Sequence, residues 1–548
     1  CPSDMRSTEL LNNPLYLFQM WGFFMKEMIR LFQFFIFIFV WPYSKFFSLR
    51  TKRERVPSIC NPLLTKSGLE LAEMIRNQKV TCTEVVLAFI TRMQTVNPII
   101  NGIVQDRFED ALNQAKLVDE MIQANPDPNY WETTKPLLGV PLTVKECIAV
   151  SGMSHNAGRT IPEQRIAKKD AEAVANLRSA GAIPIAVTNT PELCYFWESY
   201  NRKTGLTKNP YDVQRTAGGS SGGECAMLGA GASTIGLGSD VIGSGRLPAH
   251  FCGVFGHKPS SHIISNDGHI PNSSEEEWDE FLVMVPLSTH AVDLPIILTA
   301  AAPKNAQFLN LDKPVDFSTI KVFYLEEQKT LLTSKIHPDI KDAIRRSAFH
   351  FKQYGAYISK FDNSLEALST IMMRMKAPNN IFQRSEDPQD FSMWDVLREV
   401  VLDIFGCSKF HTYSVFYGFT KKCSEVLPKS YETNMRKLKE ELGKYMEELL
   451  GDCGVLILPV FFDTAHKHYR MYYKFTNVIY LSVANLLGIP ATVCPAGLSK
   501  SGLPFGIQII ANRNQDRLTL AVAKELENVF GGWTPVSAEE SNNLQNIV

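Results

Sequence analysis

The spacing of apolar residues changes repeatedly between a helical and a strand pattern along most of the chain. Apolar side chains recur on one face between Thr81 and Gln94, and Thr81 with Glu84 fits a capping box, which predicts a helix there. Further helices are predicted over 108–122, 170–180 and 517–529, and buried strands over 139–144, 182–187, 455–460, 489–495 and 505–510. This alternation of helices and strands predicts an α/β fold.

The amino end follows neither pattern. The 14 residues LFQFFIFIFVWPYS, from Leu31 to Ser44, carry no charge. A bilayer-spanning helix needs about 20 apolar residues, so a span would have to include Lys26, Glu27 and Arg30 upstream. We therefore predict a membrane anchor helix over 15–44, either as a tilted single span or as a helix lying in the membrane interface. A cleaved signal peptide is the rival, but no small-residue cleavage site follows the run.

The charges around this run predict its orientation. Five cations follow it between residues 45 and 55, whereas Lys26 and Arg30 are the nearest cations before it. By the positive-inside rule, the body of the protein is expected in the cytoplasm. The 11 cysteines include no CxxC pair, so they predict neither a disulfide framework nor a zinc motif. Reduced thiols agree with a cytoplasmic body.

Composition narrows the classes of function. The 548 residues are 45% hydrophobic and 21% charged, which is typical of a globular protein with a large core. Lys and Arg number 56 against 57 Asp and Glu, a formal charge of -1, so no global basic field is present to hold a polyphosphate backbone. Nucleic acid is therefore not expected as a partner.

Three short segments carry residues suited to chemistry: GVPLTVKE with Lys145, GGSSGGE with Ser220 and Ser221, and GSDVIGSGR with Ser244. A buried amine loses the solvation of its charge, which makes Lys145 a candidate proton acceptor. A serine hydroxyl needs such a base and an oxyanion hole of backbone N–H groups to attack a carbonyl. The 12 glycines between Gly218 and Lys258 leave backbone exposed for that purpose.

These segments together resemble the amidase signature family. The stretch RTAGGSSGGECAMLGAGASTIGLGSDVIGSGRLPAHFCGVFGHKPS is similar to its signature, GVPLTVKE resembles its lysine motif, and ANLLGIPATVCPAGLSKSGLPFGIQIIA resembles its later motifs. The resemblance runs from about Ser67 to Phe530. Within the family, the anchor-like amino end and HFCGVFGHKPS look most like the fatty-acid amide hydrolases, the type 2 branch in particular.

The resemblance implies a fold and a reaction. The fold would be one large domain with a mixed twisted sheet flanked by helices. The reaction would be hydrolysis of a fatty-acid amide at a membrane, without a metal or organic cofactor, and a homodimer is compatible with the resemblance. Position by position, it implies Ser244 as nucleophile, Ser220 on a cis peptide after Gly219 as proton shuttle, and Lys145 as base. It also implies an oxyanion hole of Val241, Ile242, Gly243 and Ser244, supported by Ser221, Asp240 and Arg246.

The domain boundaries follow from the anchor and the resemblance. We expect an unstructured start over 1–14, the anchor helix over 15–44, a basic linker over 45–66, the amidase domain over 67–535 and a tail over 536–548.

One departure falls in the oxyanion loop. The family pattern reads Asp-Ile-Gly-Gly-Ser-Ile-Arg, whereas residues 240–246 read DVIGSGR. If φ at Ile242 is positive, a β-branched residue there is strained. The alternative prediction is therefore a catalytically impaired lipid-binding protein with this fold.

Two further rivals fit the sequence less well. Residues 218–222 also fit the G-x-S-x-G elbow of α/β-hydrolases, which would need His466 or His468 as base with Asp463 as its partner. A transamidating amidase subunit acting on charged tRNA is disfavoured by the anchor and the absence of a basic balance.

Overall fold

The computed structural model describes residues 14–536, apart from 162–163, 273–275, 329–332, 366–391, 405–406, 409 and 426–428. The predicted start (1–14) and tail (536–548) thus lie almost wholly outside the described residues.

A large mixed sheet forms the centre of the described chain. Its eleven strands, in chain order, are β1 (Ile103–Asp106), β2 (Pro141–Lys145), β3 (Ile183–Thr188), β6 (Ile235–Asp240), β7 (Phe255–Lys258), β8 (Val283–Ser288), β9 (Lys321–Tyr324), β10 (Tyr357–Lys360), β11 (Gly454–Pro459), β12 (Ala491–Leu498) and β13 (Pro504–Ala511). They lie in the order β1-β3-β2-β6-β8-β7-β12-β13-β11-β9-β10, and β4 (Tyr200–Asn201) pairs with β5 (Gly205–Leu206) separately. This sheet confirms the predicted α/β fold.

The register of the central strands places Lys145 and Asp240 on the same side of the sheet. Strand β2 pairs in parallel with both β3 and β6, and Val144 lies beside Leu237. Every residue of β2 and β6 is buried, because the strands are central and covered on both faces. Lys145 ends β2 and Asp240 ends β6. Carboxyl ends of parallel strands meet at one edge of a sheet, so these two residues lie on the same side of it.

Sixteen α-helices are assigned in the described ranges. They are α1 (Pro14–Arg50), α2 (Gly68–Arg76), α3 (Cys82–Ile100), α4 (Phe108–Ala124), α5 (Pro128–Thr134), α6 (Glu172–Ser179), α7 (Gly222–Gly229), α8 (Arg246–Cys252), α9 (Glu276–Phe281), α10 (Asp293–Ala301), α11 (Pro338–His350), α12 (Met393–Ile404), α13 (Thr412–Glu425), α14 (Lys429–Leu450), α15 (Ile479–Leu486) and α16 (Asp516–Phe530). The predicted capping box of α3 is confirmed, since the Glu84 N–H donates to Thr81 Oγ1 at 3.1 Å and the Thr81 N–H donates to Glu84 Oε2 at 2.8 Å.

Helix α1 covers the predicted anchor and the first residues of the predicted linker. It lies against the domain: Gln33 Nε2 donates to Thr476 Oγ1 at 2.7 Å, and Ser44 Oγ donates to the His468 carbonyl at 2.7 Å. The rings of Phe47 and Tyr469 meet edge to face. Within the described part of the chain, no helix has both the length and the apolar content that crossing a membrane requires. The spanning form of the predicted anchor is therefore unsupported.

Candidate active site

Lys145 reaches two serine hydroxyls from the end of β2. Its side chain is fully buried, and Nζ donates to Ser220 Oγ at 2.6 Å and to Ser239 Oγ at 3.0 Å. Ser239 belongs to the neighbouring strand β6, so the parallel pairing of β2 and β6 brings these two side chains together. The structure thus joins two of the three predicted catalytic residues directly.

Ser220 lies in the glycine loop that leads into α7. The Gly219–Ser220 peptide is cis, as the resemblance implies. A Cβ at position 219 would lie 2.5 Å from the Phe196 carbonyl oxygen and 2.7 Å from the Glu198 nitrogen, so only glycine fits there. The loop is tied to the third segment through Ser221, whose N–H donates to the Ser244 carbonyl at 2.9 Å and whose hydroxyl donates to the Ser239 carbonyl at 3.2 Å.

Ser244 lies in the loop 241–245, between β6 and α8. Its side chain is 7% exposed, and Oγ has no hydrogen-bond partner among the described residues. The Gly243 N–H donates to Asp240 Oδ1 at 2.6 Å, so this predicted oxyanion donor is already engaged. The N–H groups of Val241, Ile242 and Ser244 find no acceptor in the described ranges. Three of the four predicted donors are therefore available to a ligand.

The loop is held by a buried ion pair. Asp240 and Arg246 are both fully buried, with Arg246 Nε 3.1 Å from Asp240 Oδ2. Burial alone would raise the pKa of Asp240, but the Arg246 guanidinium and the Gly243 N–H outweigh it and lower this pKa to about 2. Arg246 also donates to Gln508 Oε1 at 2.9 Å and to the Leu481 carbonyl at 2.8 Å. This network supports the predicted loop-fixing role of both residues.

Ile242 does not carry the backbone strain that a positive φ would impose on a β-branched residue. Ile242 does not have a positive φ, whereas Gly243 does, at 87°. The left-handed position therefore falls on a glycine, and the β-branched residue occupies an ordinary conformation. The Ile242 carbonyl accepts a hydrogen bond from Trp197 Nε1 at 3.0 Å. The backbone argument for an impaired loop is thus removed.

Of the two histidines that the α/β-hydrolase alternative could use, His468 is engaged elsewhere, whereas His466 Nε2 is buried without a hydrogen-bond partner among the described residues. His468 Nδ1 lies 3.0 Å from Glu198 Oε1, and Nε2 lies 3.0 Å from the Val213 carbonyl oxygen. Both nitrogens of His468 therefore have partners other than Ser220, and the side chain that donates to Ser220 Oγ is Lys145.

Three residues near the site were not found by sequence reasoning: Ser239, Trp197 and Glu224. Ser239 stands inside the GSD motif, so its position next to Asp240 was a usable signal. Glu224 is buried between Thr143 and Thr188, both of which donate to its carboxylate. Burial raises the pKa of Glu224 to about 7, against the lowering effect of these hydrogen bonds and of Lys145. Glu224 ends the GGSSGGE segment, so its place in that segment was also a usable signal, whereas no local pattern pointed to Trp197.

Comparison with known proteins agrees with this fold. Residues 84–520 match the family model described as Amidase. The chain is 39% identical over 490 residues to fatty-acid amide hydrolase 2-A of Danio rerio, covering 87% of this chain and 91% of that protein. It is 37% identical over 495 residues to fatty-acid amide hydrolase 2 of Homo sapiens, with 87% and 91% covered. A solved structure of fatty acid amide hydrolase superposes with a TM-score of 0.70 at 20% identity, covering 86% of this chain and 87% of that one.

These findings define the class of protein as a hydrolase that acts on linear amide C–N bonds. The chain belongs to the amidase signature family.

Proposed function

We propose that the protein hydrolyses fatty-acid amides through an acyl-enzyme on Ser244, with Ser220 and Lys145 relaying the proton. The 2.6 Å contact between Lys145 Nζ and Ser220 Oγ carries this proposal, because it places a buried amine against the hydroxyl that would bridge to the nucleophile.

In the proposed reaction, protons pass between Ser244, Ser220 and Lys145. The Lys145 amine takes the Ser220 proton while Ser220 takes the proton of Ser244, whose oxygen attacks the amide carbonyl. The N–H groups of Val241, Ile242 and Ser244 would receive the oxyanion. Lys145 then returns the proton through Ser220 to the leaving amine, and water, deprotonated by the same relay, hydrolyses the ester on Ser244. The Ser244 hydroxyl, which has no partner in the described ranges, is free to turn toward Ser220.

Aromatic side chains next to the two serines support an apolar acyl group. Trp197 binds the Ile242 carbonyl and packs edge to face on Phe461. Phe196, whose carbonyl lies against Gly219, stacks with Tyr413 at 3.5 Å between ring centroids. Phe196 and Trp197 are half-buried, so an acyl chain could cover their remaining surface. The names of the relatives in zebrafish and human support the same substrate class.

The outer face of α1 supports membrane association. The helix exposes large apolar side chains over about five turns, namely Leu31, Phe34, Ile38, Trp41, Phe46 and Leu49. Phe37 and Tyr43 are also exposed, but their rings contact Tyr473 and Tyr469 of the domain. Leu49 is 78% exposed. Because Gln33 and Ser44 bind the domain, we propose that α1 lies in the membrane interface with the catalytic body on the cytoplasmic side.

Fluorophosphonate labelling tests the nucleophile. We expect the parent to be labelled, Ser244→Ala to lose labelling, and Ser220→Ala and Lys145→Ala to label far more slowly. Ser347→Ala is the matched control, since Ser347 is a buried serine on α11 that donates to the Ala343 carbonyl. Hydrolysis of a long-chain primary amide much faster than a two-carbon amide would support the substrate class. Labelling that persists in Ser244→Ala would contradict the proposed nucleophile.

Vesicle flotation tests the membrane surface. The variant Phe34→Ser/Trp41→Ser/Leu49→Ser should bind anionic vesicles much more weakly than the parent. Leu87→Ser is the control, because Leu87 is a half-exposed leucine on α3. Equal flotation of the triple variant and the parent would contradict membrane docking through α1.

A further inference from the structure

Three side chains that can bind a soft metal ion meet behind Lys145. The Sγ atoms of Cys147 and Cys194 and a ring nitrogen of His269 lie within 4.8 Å of one another. They come from three separate loops: the turn after β2, the 3₁₀ turn Glu192–Cys194, and the loop before the cis Ile270–Pro271 peptide. No zinc motif joins these positions in the sequence, so the sequence-based expectation of no metal did not address this cluster.

The separation of the three atoms fits a zinc ion. Ligand atoms around tetrahedral zinc lie roughly 3.5–3.8 Å apart, given metal–sulfur and metal–nitrogen distances of about 2.3 and 2.0 Å. Cys147 Sγ is already 3.3 Å from His269 Nε2. Since all three atoms lie within 4.8 Å of one another, side-chain adjustments of no more than about 1 Å would bring the set to zinc distances.

The orientation of His269 also fits. Its Nδ1 lies 2.9 Å from the Pro271 carbonyl oxygen. A carbonyl only accepts hydrogen bonds, so Nδ1 carries the proton and Nε2 presents its lone pair toward Cys147 and Ser239. Metal-binding histidines usually donate their other N–H to a carbonyl or carboxylate in this way.

Backbone hydrogen bonds also hold the three loops in place. The Ile270 N–H donates to the Cys147 carbonyl at 2.8 Å, and the Leu193 N–H donates to the Ala157 carbonyl at 2.7 Å. Cys147 and His269 are buried, whereas Cys194 is partly exposed. An ion could therefore enter from the Cys194 side.

A bound ion would affect Lys145, the proposed base, through the hydroxyl of Ser239. Ser239 Oγ accepts from Lys145 Nζ at 3.0 Å and lies 2.9 Å from His269 Nε2, to which it donates. Coordination would take the Nε2 lone pair, so Ser239 would lose its acceptor and its hydroxyl would reorient beside Lys145. The hydrogen bond that positions the Lys145 amine would then be weakened.

We propose that Cys147, Cys194 and His269 form an inhibitory site for Zn²⁺ or a similar thiolate-preferring cation. Binding replaces the two S–H protons, which pass to solvent, by two S–metal bonds and adds one N–metal bond. The inhibitory effect rests on the proposed catalytic role of Lys145, whereas the binding itself does not.

Zinc binding to the full chain, purified in detergent and stripped with a chelator, tests the site. Competition with a chromogenic chelator should show one tightly bound Zn²⁺ per chain, lost in Cys147→Ala and in Cys194→Ala. Cys494→Ala, which removes a buried cysteine from β12, should retain it. Co²⁺ should give a thiolate charge-transfer band in the parent and not in Cys194→Ala. Equal binding by the parent and Cys194→Ala, or no tight zinc in the parent, would overturn the site.

Zinc binding can also be tested on the unmutated chain, where the result does not depend on whether a variant folds. Zn²⁺ should protect Cys194 from alkylation by a maleimide, read by mass spectrometry, while Cys60, an exposed cysteine, reacts as before. Alkylation of Cys194 at the same rate with and without zinc would count against binding.

Fluorophosphonate labelling then tests inhibition. Zinc should slow labelling of the parent about fivefold, the factor expected for one lost hydrogen bond, and should leave the rate of Cys194→Ala at its own metal-free value. Binding without slower labelling would overturn the inhibitory role. If the parent is not labelled at all, the proposed function fails, and the binding measurements still decide the site.

Discussion

Replacing Gly243 by alanine should disable the loop that carries Ser244. The φ of Gly243 is 87°, and a Cβ there would lie 2.5 Å from Leu481 Cδ1 and 2.6 Å from Cδ2. The left-handed conformation costs a non-glycine residue about 1–2 kcal/mol. Overpacking against Leu481 adds about 1–3 kcal/mol. We therefore expect Gly243→Ala to lower the free energy of unfolding by about 2–5 kcal/mol.

The same change should slow the reaction of Ser244. The Gly243 N–H is bound to Asp240 at 2.6 Å, so a loop movement that relieves the clash with the Leu481 side chain would disturb this hydrogen bond. Displacing one oxyanion donor costs roughly 100- to 1,000-fold in rate. Urea titration measures the stability, and the rate of fluorophosphonate labelling measures the reactivity of Ser244.

Two further variants distinguish backbone strain from the contact with Leu481 as the cause of slower labelling. Ile242→Gly should not label faster than the parent, because Ile242 does not have a positive φ and carries no strain to relieve. In Gly243→Ala/Leu481→Ala, recovered labelling would assign the loss to the contact with Leu481, and no recovery would assign it to the backbone. Parent-like stability and labelling of Gly243→Ala, or faster labelling of Ile242→Gly, would refute the reasoning.

Three further substitutions test the surrounding network. Asp240→Asn should lower the free energy of unfolding by about 3–5 kcal/mol in urea titration, because it leaves Arg246 buried without a counter-charge. Asp267→Asn, from the exposed pair with Lys169, should change it by less than about 1 kcal/mol, and equal effects would contradict the role of burial. The pKa of Glu224 is about 7 in the folded protein against an ordinary 4.5, so the folded state keeps its proton longer and the free energy of unfolding should fall by up to about 3 kcal/mol between pH 4.5 and 7. Glu224→Gln should flatten that part of the pH profile, and an unchanged slope would argue against it. Trp197→Phe removes the donor to the Ile242 carbonyl and should slow labelling about fivefold, whereas Trp394→Phe, which changes an exposed tryptophan, should leave the rate unaltered.

Local patterns were sufficient for five of the eleven strands of the sheet and for the residue types of the site, but they did not predict β6, which carries Ser239 and Asp240. The capping box at Thr81 marked the start of α3, and the apolar run ending at Lys145 marked β2, because both depend on neighbours within a few residues. Lys145, Ser220 and Ser244 stood out as chemically suited residues in glycine-rich segments. The resemblance then supplied their expected order of action and the cis peptide before Ser220.

Properties of the site that depend on distant residues came only with the folded chain. Pairing of β2 with β6 places Ser239 on Lys145, although 94 residues separate them. The positive φ falls on Gly243 rather than Ile242, and Asp240 takes the Gly243 N–H, because Arg246 and its buried partners position the loop. Cys147, Cys194 and His269 have no motif in common and meet through loop packing alone. Sequence spacing encodes contacts along one helix or strand, whereas contacts between elements depend on the order and register in which the sheet assembles.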